Sequence, residues 1–103
     1  MERISDKAEV SIDFPDKFYS GSFSRGAKFE ARSEDDGLFI KLERSDGEKR
    51  AVGIHLHHHL LADLLCEWAA SLKAQKTMEA AHKEDLLNAI DKVEKALSRL
   101  KLK

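Results

Sequence analysis

Cysteine is nearly absent from this chain: Cys66 stands alone, so no internal disulfide can form and nothing points to an oxidising compartment. Proline occurs once, at Pro15, and glycine only from Gly21 to Gly53, which leaves the last fifty residues without a strong breaker. Apolar runs are a few residues long at most, as at Leu60–Ala62, far short of a membrane span. Met1–Lys7 lacks the apolar core of a secretion signal, so export is not expected and the cytoplasm is the default location. An excess of charge of one sign is also missing. Eighteen basic and nineteen acidic residues give a net charge of −1, without the global basic footprint of a duplex-DNA binder. The scattered glycines match no phosphate-loop or dinucleotide-binding spacing.

What is present suits one soluble domain over residues 1–103, with 42% hydrophobic and 36% charged residues. The breakers divide it. Residues 8–56 read as an antiparallel sheet and the remainder as helix, an α+β pattern. Strands of period-two apolar positions are expected at Ala8–Phe14, Lys17–Ser24, Ala27–Ser33, Gly37–Arg44 and Glu48–Leu56.

Charge fixes the registers. A four-residue loop Glu34–Gly37 pairs Phe29 with Leu42 and Ala31 with Ile40, and sets Lys28 opposite Glu43 and Glu30 opposite Lys41. A three-residue loop Ser45-Asp46-Gly47, with Gly47 at positive φ, pairs Ile40 with Val52, Leu38 with Ile54 and Glu43 with Lys49. A Ser24-Arg25-Gly26 loop brings Tyr19 and Phe23 to the face of Phe29, where Val10, Ile12 and Phe14 join a buried layer. The opposite face is polar and carries Phe18, Ser20, Ser22, Lys28, Glu30, Arg32, Phe39, Lys41, Glu43, Lys49, His55 and His57.

From residue 57 the period lengthens. Leu61, Leu65, Trp68 and Leu72 mark a helix over residues 57–76 that can cover the sheet, with Trp68 and the thiol of Cys66 expected in the core. A second stripe, Leu86, Ile90, Val93, Leu97 and Leu100, is out of phase with the first and resembles a short coiled-coil seam. Thr77 is the expected N-cap of a second amphipathic helix over residues 78–102.

Four of the five histidines fall between His55 and His59. Strand alternation places His55 and His57 on one face, and His59 has helical spacing to Asp63. Because the run straddles a strand-to-helix junction, the imidazoles are read as solvated or capping groups, with His55 and His57 the candidate metal ligands. The acidic run Glu34-Asp35-Asp36-Gly37 lacks the alternation of a calcium loop and reads as a solvated hairpin tip. Cys66 has no adjacent base, no catalytic constellation is visible, and neither enzymatic activity nor a cofactor is expected.

Residues Tyr19 to Leu72, with strands leading through Gly53-Ile54-x-Leu56 into a helix, resemble the positive-cofactor-four group of single-stranded DNA-binding transcriptional coactivators. The resemblance implies a dimer with an exposed sheet face, on which Lys28, Arg32, Phe39 and Lys41 would contact nucleic acid. The chain departs from that group in having His57-His58-His59 where the group has a polar, proline-containing turn, and in its second helix.

The sequence therefore leads first to a non-enzymatic interaction module, homodimeric through the second stripe. Single-stranded nucleic-acid binding on the polar face comes second, and a metal-binding role for the His55–His59 cluster third. No membrane association is expected.

Overall fold

Alternating charge and apolar side chains draw the central strands together. In the computed structural model, which describes every residue except Asp46, β1 is Glu2–Arg3, β2 Ala8–Phe14, β3 Lys17–Phe23, β4 Lys28–Glu34, β5 Gly37–Arg44 and β6 Arg50–His57. Helices α1, His58–Ala74, and α2, Ala80–Ser98, follow, giving an α+β fold. The strands form a four-stranded antiparallel sheet in the order β1-β4-β5-β6 and a separate β2-β3 hairpin. Two units divide the chain, Met1–Leu65 and Cys66–Lys103.

The β4-β5 register is the expected one, with Phe29 opposite Leu42 and Lys28 opposite Glu43. The β5-β6 register is not. Ile40 faces Ile54, Leu38 faces Leu56 and Leu42 faces Val52, two residues from the expected pairing. Lys49 therefore lies outside the strands, in a connection that includes the Ser45-Asp46-Gly47 turn, whose Asp46 falls outside the described residues. Gly47 does take a positive φ of 75°.

A second correction concerns the sheet edge. The expected partner of β4 was β3, but β1 occupies that place, with Glu2 opposite Phe29 and the ladder continued by Ile4 N–H donating to the Ala27 carbonyl. The cause is the sharp reversal at Ser24–Ala27, where Gly26 has φ 99° and Ala27 N–H bonds back to the Ser24 carbonyl. That turn removes β3 from the sheet plane. Phe18, Ser20 and Ser22 thus belong to the hairpin, not to the polar face of the main sheet.

Alternation gives the four-stranded sheet two unlike faces. One carries Phe29, Ala31, Leu38, Ile40, Leu42, Val52, Ile54 and Leu56, and the other Lys28, Glu30, Arg32, Phe39, Lys41, Glu43, His55 and His57. Arg44 and Arg50, opposite each other at one end of the apolar face, donate from Nη1 to the carbonyls of Ser22 (3.1 Å) and Ser20 (3.2 Å). These bonds and buried Phe23 hold the hairpin, leaving a cleft of about 740 Å³ lined by Val10, Ile12, Tyr19, Phe23 and Val52 among others.

The expected buried layer is thin. Phe23 and Ala27 are the buried hydrophobic side chains among the described residues, while Ile12, Phe14, Tyr19 and Ile54 remain exposed. Within the first unit, Leu61 is half-buried but Leu60, Leu64 and Leu65 are exposed, so the opening turns of α1 do not seal the sheet as the stripe suggested.

In the second unit Trp68 is 40% exposed and Cys66 is exposed, against their expected core positions. The helical run breaks at Gln75–Glu79, as the phase change indicated. The cap is Glu79, with extended ψ and Lys83 N–H on its carbonyl, because the chain stays extended two residues beyond Thr77. Trp68, Leu72, Met78, Leu86, Leu87 and Ile90 line a groove of about 360 Å³ there. Beyond it the stripe Ile90, Val93, Leu97 and Leu100 is exposed, Leu97 to 62%. Among the described residues no helix is long and apolar enough to cross a membrane.

Candidate functional site

The tip of the β4-β5 hairpin is drawn against the end of β6 by a glycine. Gly37 is buried opposite His57, and a Cβ there would collide with the Leu56 carbonyl oxygen and lie 2.8 Å from the His57 Cα. Its absence lets the Asp36 carbonyl accept a hydrogen bond from His58 N–H at 3.0 Å. This backbone tie places the Asp36 carboxylate beside His55 and His57, which share one strand face through their i, i+2 spacing.

His55 Nε2 donates to Asp36 Oδ1 at 3.0 Å, and His57 Nδ1 lies 3.7 Å from Oδ2. The two imidazoles stack with centroids 4.8 Å apart and planes inclined by 29°. Partial desolvation pushes the Asp36 carboxyl up. The charges of His55 and then His57, helped by hydrogen bonds from its own backbone and from His55, outweigh that and hold it below the ordinary carboxylate value. All three residues are exposed.

Sequence reasoning found two members of this cluster and missed the third. It read Asp36 as part of a solvated tip and did not expect the imidazoles to converge. The signal was Gly37: a glycine directly opposite His57 marks a place where two backbones close up. His58 and His59 open α1 outside the cluster, and Asp63 does not bring His59 into a ligand group among the described residues.

The polar face assembles Lys28, Arg32, Phe39 and Lys41 as the sequence implied, but with partners. Arg32 bonds Glu30, and Glu34 at 2.9 Å, and its guanidinium sits 4.4 Å above the Phe39 ring. The Glu34 and Glu30 hydrogen bonds together raise the Arg32 pKa. Lys41 lies 3.7 Å from Glu43. The Phe39 ring rests over Gly53, where a Cβ would approach it to 3.3 Å. The ring thus carries a cation over one face and lies close to the Gly53 backbone.

The remaining candidate is the apolar surface: the largely half-buried Phe29–Leu56 face with its cleft in the first unit, and the Leu86–Leu100 seam, exposed from Ile90 onward, in the second. Gly53-Ile54-x-Leu56, the element of the resemblance, lies in β6 and runs into α1 at His58. No protein-family description, characterised protein or solved structure matches the chain.

Proposed function

We propose that the chain is an interaction module whose partner is a second copy of itself. The observation that carries this reading is the amount of apolar side chain left in water. In the second unit Leu87, Ile90, Val93, Leu97 and Leu100 are 56%, 48%, 57%, 62% and 71% exposed, an apolar surface of the kind that marks an interaction site.

The seam favours self-pairing. Leu86, Ile90, Val93, Leu97 and Leu100 recur at four-three-four-three spacing, so a second seam is its natural complement about a two-fold axis. Lys83, Asp91, Lys92, Glu94, Lys95 and Arg99 carry both charge signs beside it, and Asp91 pairs with Lys95 at 2.8 Å. Sedimentation of the full chain should give a dimer. A monomer with α2 fully helical at micromolar concentration would overturn the proposal.

Single-stranded nucleic-acid binding is the second reading, supported by the gathering of Lys28, Arg32, Phe39 and Lys41 on one face. The acidic partners of Arg32 and Lys41 compete with phosphate there, which is why it ranks below self-association. Oligonucleotide binding at low salt that is lost in the Phe39→Ala, Lys41→Ala double variant, with its circular dichroism and melting midpoint unchanged, would reverse the order.

A further inference from the structure

We propose that Asp36, His55 and His57 form a binding site for one divalent transition-metal ion of the zinc class. Two imidazole nitrogens and a carboxylate oxygen are a donor set that suits zinc, nickel, copper or iron and is poor for magnesium or calcium, which favour oxygen. The candidate donor atoms of the three residues all lie within 4.8 Å of one another.

The separations approach those around a metal. Around an ion with bonds near 2.0–2.1 Å, neighbouring donors stand about 3.0 Å apart in octahedral geometry and about 3.3 Å apart in tetrahedral geometry. His55 Nε2 faces Asp36 Oδ1 at 3.0 Å and His57 Nδ1 faces Oδ2 at 3.7 Å, each imidazole on its own oxygen. With the donor set spanning up to 4.8 Å, the exposed side chains must rotate to close its widest gap around one ion. The carboxylate is also not committed elsewhere: among the described residues its ion pairs are with these two imidazoles alone. A metal would take the place of their protons without breaking a lysine or arginine pair.

The scaffold adds preorganisation. The Gly37 contact and the His58 N–H to Asp36 O bond fix the carboxylate-bearing tip, and the β6 backbone fixes both histidines. Three protein donors leave the remaining coordination positions to water, and the ion would pin the β4-β5 tip to the end of β6. The site needs one chain only and is independent of self-association.

Calorimetric titration of the full chain with Zn²⁺ should give one ion per chain. Asp36→Asn, His55→Ala and His57→Ala should each weaken it at least about tenfold, while His59→Ala and His82→Ala leave it unchanged and excess Mg²⁺ does not compete. Co²⁺ added to the wild type should broaden the amide resonances around Asp36, His55 and His57, a readout that requires no variant. Absence of a stoichiometric ion in the wild type, full affinity in Asp36→Asn, or broadening centred on His58 and His59 would overturn the assignment.

Discussion

Gly37 and Gly47 stand at opposite ends of β5 and are required for different reasons, which makes their substitutions a discriminating pair. At Gly37 the obstacle is space, because even a methyl group meets the β6 backbone, which cannot move without breaking the ladder. Gly37→Ala should cost about 3 kcal/mol or more, at the upper end of overpacking effects, and should separate Asp36 from His55. At Gly47 nothing lies within 4 Å of the missing Cβ, but the backbone has φ 75°. Gly47→Val should therefore cost only about 1–2 kcal/mol, the penalty of a left-handed conformation for a β-branched residue. Urea unfolding of the two variants checks the ranking. Equal losses would show that the two glycines are not used differently.

Among the elements, α2 depends most on something outside its own sequence. A helix of nineteen residues with no side-chain cap bond at Glu79 has little stability by itself, so its order must come from covering the seam. Leu97→Asp places a carboxylate in that seam and should convert the proposed dimer to a monomer or unwind α2, read by sedimentation together with circular dichroism. The outward-facing Lys92→Asp should do neither.

Both helices and the positions of β2 to β6 were legible because periodicity records which side of an element is apolar. The β4-β5 register was legible too, since its charged face pairs opposite signs only in one alignment near that loop. Periodicity fails against a slip of two residues, which leaves every side chain on its own face. The three-residue loop Ser45-Asp46-Gly47 corresponds to the wrong member of that set, and with it His55 instead of His57 opposite Gly37, which concealed the approach of Asp36. β1 was illegible for another reason: Glu2–Arg3 is too short to carry a pattern, and only the reversal at Gly26 opens the edge it fills.

For the whole molecule, thermal stability and association should be one equilibrium. If the exposed apolar surface is covered only in the dimer, the melting midpoint rises with protein concentration by mass action. A midpoint constant across a hundredfold dilution, with sedimentation still showing dimer, would separate folding from assembly. The two arginines that reach the Ser20 and Ser22 carbonyls have a consequence for how the molecule fluctuates. β5 is bonded along both edges, whereas the β2-β3 hairpin is fastened to the rest by those guanidinium bonds and by Phe23. Such an attachment can open without disturbing a ladder. In native-state hydrogen exchange the hairpin amides should lose protection first, as one cooperative group, and Arg50→Ala should hasten their exchange while leaving the β5 amides as slow as before.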